Sequence, residues 1–163
     1  MENNSLDKII NKKKEKLNLL KDKLVIEDLK YKIDKFDKYL DFKEKIYSNL
    51  SEGKLSLIAE IKKASPSAGI IIKDYNPVDI ASIYEKNNAT CLSVLTEEDF
   101  FNGKLEDISK IKEQINLPIL CKDFFIDKFQ IPLAKSFGAD AILLIVAALG
   151  QNQLEDLYNT ALE

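Results

Sequence analysis

Apolar residues recur every three to four positions among lysines in the part of the chain before Gly53. This spacing places them on one face of a helix and predicts a long amphipathic helix at the start of the chain. Its apolar positions are Leu6, Ile9, Ile10, Leu17, Leu20 and Leu24. Two shorter helices are predicted over residues 26–35 and 41–49. Residues 1–52 are therefore expected to form a helical extension.

A different pattern begins after Gly53, where short apolar runs alternate with helical patterns. The apolar runs predict strands over residues 55–61, 91–94, 119–122 and 141–146. Helices are predicted between them over residues 78–87, 105–114 and 128–137, and a fourth is expected to begin near Asn152. Alternating βα units of this kind are typical of an α/β protein with a parallel sheet.

The number of βα units limits the architecture that residues 53–163 can form. Four units fill this part of the 163-residue chain, whereas a closed barrel of eight units needs ~250 residues. The last helical pattern also reaches Glu163 without a glycine or another helix breaker after it. We therefore expect the chain to contain about the first half of a barrel and to be incomplete.

The charged residues argue against nucleic acid as a partner. The chain has 27 acidic and 24 basic residues, and both signs are mixed along it instead of forming a basic stripe. All the basic residues are lysines, which excludes bidentate arginine contacts to phosphate or guanine. The segment NKKKEK, residues 11–16, is interpreted as a solvated helix face, because acidic residues are interleaved with its lysines.

The remaining composition limits the catalytic and metal-binding chemistry that is possible and indicates the cellular compartment. There is no histidine, which excludes histidine catalysis and histidine metal ligands. Cys91 and Cys121 lie far apart in apolar runs, so we expect buried free thiols in a reducing compartment. The longest apolar stretch, residues 141–149, is shorter than the ~20 residues that span a bilayer, and the N-terminus lacks the apolar core of a secretory signal. A cytoplasmic protein without a membrane segment is expected.

Charged side chains are predicted at the ends of two apolar strands. In the first strand Ile58, Glu60 and Lys62 alternate with apolar residues of the opposite face, and the third strand ends at Lys122. Inward side chains at the carboxyl ends of barrel strands form the active-site floor, so these three charged residues are expected to meet there. The alternatives are an ordinary ion pair at a strand end and a solvated lysine.

Two further segments are candidates for ligand contacts. The turn over residues 65–69 offers hydroxyls and backbone amides beside Lys62, as an anion site requires. After the second strand, Phe100 and Phe101 could stack on a planar substrate. From the residues alone, the favoured interpretation of these aromatic residues is hydrophobic packing under a long loop.

Four segments resemble a known family. LIAEIKKASPSAG, LSVLTEEDFFNGKLEDI, LPILCKDFFIDKFQI and GADAILLIVAAL are similar, in this order and spacing, to the strand and loop signatures of indole-3-glycerol-phosphate synthases. The resemblance covers about residues 55–162, and the N-terminal helices resemble the extension of that family. It implies a (β/α)8 barrel and a carbon–carbon lyase of tryptophan biosynthesis. The segments EIKKASPS and CKDFFID argue against another barrel of the pathway, phosphoribosylanthranilate isomerase.

The resemblance also implies roles for individual residues. Lys122 would be the general acid, and Lys62 would be its rival for proton transfer and a partner for a substrate anion. Glu60 would orient the two lysines, and Ser65 would help to hold the substrate. The apolar walls around the aromatic ring of the substrate would be Phe101, Phe124 and Leu143. Neither a cofactor nor a metal is implied, and the partner is a small phosphorylated substrate derived from anthranilate.

The chain departs from the family pattern in two respects. Many relatives have a lysine where this chain has Ala68, which is expected to weaken the attraction for an anionic substrate. The later strands of the family, which supply a second glutamate, an asparagine and the phosphate-binding loops, are absent. Two interpretations therefore stay open. The chain is part of the lyase, or it is a non-catalytic half-barrel whose exposed strand edges must pair with another half or with a second copy.

Overall fold

The computed structural model describes residues 5–163, apart from the side chain of Lys35. The chain begins with α1 (Ser5–Lys21), α2 (Ile26–Lys35) and α3 (Phe42–Ser51). The three predicted helices are confirmed, although α1 ends at Lys21, before Leu24. Helix α3 starts one residue later than predicted because Asp41 caps it, with its carboxylate accepting a hydrogen bond of 2.8 Å from the N–H of Glu44.

Four βα units follow the helices, and their strands form one parallel sheet in the order β1-β4-β5-β6. A small antiparallel hairpin, β2–β3, lies between the first strand and its helix. The elements are β1 (Ile58–Ile61), β2 (Ala64–Ser65), β3 (Gly69–Ile70), α4 (Pro77–Lys86), β4 (Cys91–Leu95), α5 (Glu106–Lys112), β5 (Ile119–Lys122), α6 (Gln130–Ser136), β6 (Ala141–Ile142) and α7 (Gln151–Leu162).

The register of the sheet separates an apolar face from a mixed face. Ile61 pairs with Val94, and Val94 with Cys121, so these three buried side chains share one face. The residue before Ile61 is Glu60, whose side chain lies on the opposite face because side chains alternate along a strand. This is the alternation that the sequence predicts for the first strand.

Helices α4 to α7 cover the apolar face and form the main core with it. Each of them contributes fully or almost fully buried side chains, namely Ala81, Ile108, Ile111, Ala134 and Leu157. Burying one isoleucine or leucine side chain contributes about 1.5–3 kcal/mol, so this layer fixes the sheet against the helices. The mixed face is left to present the charged side chains.

Two predicted strands are shorter in the structure. The first begins at Ile58, because its register partner Cys91 is the first residue of β4, and Leu55 is 98% exposed. The fourth covers only Ala141–Ile142 and is followed by a 3₁₀ turn, Val146–Ala148. Strand β5 ends at Lys122, which is level with Leu143, so residues 144–146 have no neighbouring strand within the described part of the chain.

The linker between α2 and α3 binds the edge where the strands begin. Asp140, just before β6, accepts hydrogen bonds from the backbone N–H groups of Leu40 and Ile119, each 2.7 Å long. The Nζ atom of Lys112 lies 2.5 Å from the carboxylate of Asp140, and both side chains are almost fully buried. Lys112 also donates to the carbonyl of Lys38. A single ion pair thus joins the linker, α5 and two strands.

Both cysteines are buried and free, as predicted. Complete burial raises the pKa of the Cys121 thiol to about 12, which keeps it in the unreactive protonated form. Within residues 5–163, no helix combines the length and the apolar character that crossing a membrane requires.

Candidate active site

Three charged residues meet on the mixed face at the carboxyl ends of β1 and β5. Glu60 accepts from both lysines: its Oε1 atom lies 2.6 Å from Nζ of Lys62, and its Oε2 atom pairs with Nζ of Lys122. The three side chains are 31–38% exposed, so the cluster is reached by solvent. The expected meeting of these residues is confirmed, and one carboxylate holds both ammonium groups.

The two lysines determine the charge of Glu60. Partial burial opposes ionisation, but the hydrogen bonds from Lys122 and Lys62 and their positive charges outweigh it and hold the pKa of Glu60 below its usual range. Glu60 is therefore a carboxylate at neutral pH, suited to orienting two proton donors rather than to donating a proton.

Replacing Glu60 with glutamine is expected to make stability less sensitive to acid. A lowered pKa gives stability that is present above the unfolded value, about 4.3, and is lost as the pH falls through the lower folded value. Urea midpoints measured from about pH 6 to about pH 3 should fall less steeply for Glu60→Gln than for the parent. Parallel curves would show that the lysine contacts do not stabilise the ionised form.

Ser65 belongs to the β2–β3 hairpin, which the sequence predicts only as a turn. Its Oγ atom accepts a hydrogen bond of 3.2 Å from the N–H of Ala68 and lies 3.4 Å from Oγ of Ser67. Gly69 closes the hairpin with a positive φ of 64°. The hydroxyl of Ser65 therefore stabilises the turn in this structure, and its contact with a substrate stays a prediction.

Two aromatic rings lie close together in the segments that follow β4 and β5. The centroids of Phe101 and Phe124 lie 6.4 Å apart, with their planes tilted by 40°. Gly103 lets the loop of Phe101 return onto β4, because a Cβ atom there would lie 2.2 Å from the carbonyl oxygen of Leu95. Leu143 follows β6 next to Lys122 in register, since Cys121 pairs with Ile142.

One interpretation of the sequence is wrong at a single position of the segment NKKKEK. Lys13 is not on a solvated face but 9% exposed, and its Nζ atom lies 2.6 Å from Oδ1 of Asp123 and 4.0 Å from Oε1 of Glu97. The helical spacing of Ile9, Lys13 and Leu17, which are all buried on one face of α1, is the signal that could have identified it. Sequence reasoning missed all three members of this ion cluster.

Comparison with known proteins shows one family. The family model described as indole-3-glycerol phosphate synthase matches residues 6–163. The proteins of that name from Trichodesmium erythraeum and Aliarcobacter butzleri are each 46% identical to this chain, over 93% and 96% of it, respectively. The protein of that name from Clostridium acetobutylicum is 47% identical over 97% of this chain.

The matched part of each relative is limited. It amounts to 50% of the Trichodesmium protein and 59% of the other two, so this chain spans about half the length of the curated relatives. Within that half, the match runs through α1, the linker and all four βα units. The chain belongs to the indole-3-glycerol phosphate synthase family and contains the N-terminal helices and first four βα units of its barrel fold.

Proposed function

We propose that this chain supplies the acid–base half of an indole-3-glycerol-phosphate synthase site, in a cytoplasmic enzyme of tryptophan biosynthesis that uses no cofactor or metal. The substrate is 1-(2-carboxyphenylamino)-1-deoxyribulose 5-phosphate, and the product is indole-3-glycerol phosphate. The observation that carries the proposal is the cluster in which Glu60 holds Lys62 and Lys122 at the carboxyl ends of β1 and β5, two strands of one parallel sheet that are separated by β4.

The reaction needs proton donors at one oxygen atom. The ring carbon that bears the carboxylate attacks the ketone carbon of the ribulose chain, and Lys122 protonates the ketone oxygen as the bond forms. Loss of carbon dioxide returns the bonding electrons to the ring. A second proton then allows the new hydroxyl to leave as water, and loss of a proton from the methylene carbon next to the nitrogen forms the double bond of the indole ring. Two ammonium groups on one carboxylate suit this sequence, with Lys62 as the second donor or as the partner of a substrate anion.

The remaining candidate residues would bind the substrate. Phe101 and Phe124 present adjacent rings that match the planar anthranilate part, and Leu143 would extend this apolar wall. Ser65 would contact the substrate from the hairpin. Ala68 adds no charge there, so the phosphate would be held mainly by residues of the barrel outside the matched segment.

A second candidate function is that of a non-catalytic half-barrel. Strands β1 and β6 have no outer partner strand among residues 5–163. Leu57 and Ile58, at the first of these edges, are 55% and 45% exposed. Unpaired apolar edges favour association, with another half-barrel or with a second copy of the chain.

A chimera tests the proposed activity. This chain would replace the matched segment of the Clostridium acetobutylicum relative, so that the relative supplies the rest of the barrel. We expect turnover, measured by the fluorescence of indole-3-glycerol phosphate. A chimera that folds, by circular dichroism, but is inactive beside the active relative would contradict the proposal.

This chain on its own, without the part of the barrel that the relative supplies in the chimera, tests the second candidate function. Sedimentation shows whether the chain associates, and the same fluorescence assay shows whether the assembly is active. Association without turnover, together with an inactive chimera, would favour the non-catalytic half-barrel.

A further inference from the structure

Lys13 connects the N-terminal helix to the segments that follow two neighbouring strands. Its Nζ atom lies 2.6 Å from Asp123, directly after β5, and 4.0 Å from Glu97, shortly after β4. Its side chain is 10% exposed, and those of Glu97 and Asp123 are 2% and 10% exposed. One buried cation of the extension thus faces two buried carboxylates of the barrel.

Glu97 holds the backbone of the loop that carries Phe101. Its Oε2 atom accepts hydrogen bonds from the N–H groups of Phe100, at 2.7 Å, and Phe101, at 3.2 Å. Its Oε1 atom accepts from the N–H of Asp99 at 3.2 Å. The position of this carboxylate therefore determines the direction in which the loop leaves β4.

Asp123 holds the second aromatic residue in a similar way. Its Oδ1 atom accepts from the N–H of Phe124 at 2.7 Å, and its Oδ2 atom accepts from the hydroxyl of Thr96 at 3.0 Å. Each aromatic residue is thus bound through its backbone to one carboxylate, and both carboxylates face Lys13.

The buried charges make Lys13 necessary for this arrangement. Two carboxylates removed from water repel each other, and leaving a buried charge without its partner is strongly destabilising. Lys21, another lysine of α1 that binds the barrel, differs in this respect. Lys21 lies 2.5 Å from Asp127, but both side chains of that pair are more than a third exposed, so solvent screens their interaction.

We propose that Lys13 is a positioning residue for the aromatic pair, fixing Phe101 through Glu97 and Phe124 through Asp123. The proposal rests on the proposed function in one respect, which is that the rings of Phe101 and Phe124 contact the substrate. The placement of the rings does not depend on substrate and is measured without it, so its failure is distinguishable from failure of the lyase activity.

The experiment uses the full chain labelled with 4-fluorophenylalanine. The ¹⁹F signals of Phe101 and Phe124 are assigned from leucine substitutions, and Lys13→Met is compared with the matched control Lys21→Met. We expect Lys13→Met to shift or broaden both signals and Lys21→Met to leave them in place. Amide hydrogen exchange at Phe101 and Phe124 should rise about tenfold or more in Lys13→Met, relative to exchange in the sheet core at Leu92.

Two outcomes would overturn the proposal. The first is an effect of Lys13→Met on both rings no larger than that of Lys21→Met. The second is amide exchange at Phe101 and Phe124 that rises only by the same factor as exchange at Leu92, which would mean general destabilisation. If Lys13→Met does not fold, Glu97→Gln and Asp123→Asn replace it. Glu97→Gln should move the Phe101 signal and Asp123→Asn the Phe124 signal, and unchanged signals would refute the linkage.

Discussion

Replacing Lys122 with methionine is expected to lower kcat of the chimera by about 10²–10⁴-fold. This is the contribution of a positioned general acid, and methionine retains the apolar stem of lysine but donates no proton. KM should change much less, because a general acid stabilises mainly the transition state, in which the ketone oxygen gains charge. The measurement is the steady-state fluorescence assay of product formation.

Two comparisons make the result specific. Lys86→Met, on the exposed end of α4, removes a lysine far from the cluster and should leave kcat unchanged. Lys62→Met tests the rival assignment, since a larger loss of kcat there than in Lys122→Met would make Lys62 the main acid. Equal kcat for Lys122→Met and the parent chimera would remove Lys122 from the mechanism.

Replacing Asp140 with asparagine is expected to lower the free energy of unfolding of the chain by about 3–5 kcal/mol. Breaking a buried ion pair leaves one charge without a partner, and the Lys112 side chain is only 2% exposed. The backbone N–H groups of Leu40 and Ile119, which donate hydrogen bonds to Asp140, would also lose a charged acceptor. Urea unfolding followed by circular dichroism measures the change.

The matched control for this prediction is an exposed ion pair. Asp156 lies 3.4 Å from Lys128, and their side chains are 65% and 55% exposed, respectively. Asp156→Asn should therefore cost less than about 1 kcal/mol. A loss for Asp140→Asn as small as that of the control would mean that water reaches the pair in solution.

Local patterns were sufficient to predict the sheet and the charged cluster. In β1, buried Ile61 and half-buried Glu60 are adjacent, and this alternation is encoded residue by residue. The ends of the strands were not predictable in this way. A strand ends close to where its neighbour ends. The start of β4 at Cys91 limits the first strand and the end of β5 at Lys122 limits the fourth, although the apolar runs continue over residues 55–57 and 144–146.

The ion cluster around Lys13 shows the other limit of sequence reasoning. Helical spacing places Lys13 on the buried face of α1, unlike its exposed neighbours Lys12 and Lys14, but it does not indicate which residues Lys13 will meet. Its partner Asp123 lies on a different element, and nothing local indicates that the two will meet. Long-range charge pairing is a property of the assembled fold, so it becomes visible only when α1 and the barrel are placed together.

The N-terminal helices contact residues that are synthesised much later. The pair Lys21–Asp127 spans 106 positions, and the hydrogen bond from Leu40 to Asp140 spans 100. On the ribosome, α1 and the α2–α3 linker therefore emerge long before the surfaces that cover them. Contacts of such large sequence separation slow folding. The order of synthesis thus leaves Leu17 of α1 without its core neighbours Ile126, Phe129 and Leu133 until the third βα unit has emerged.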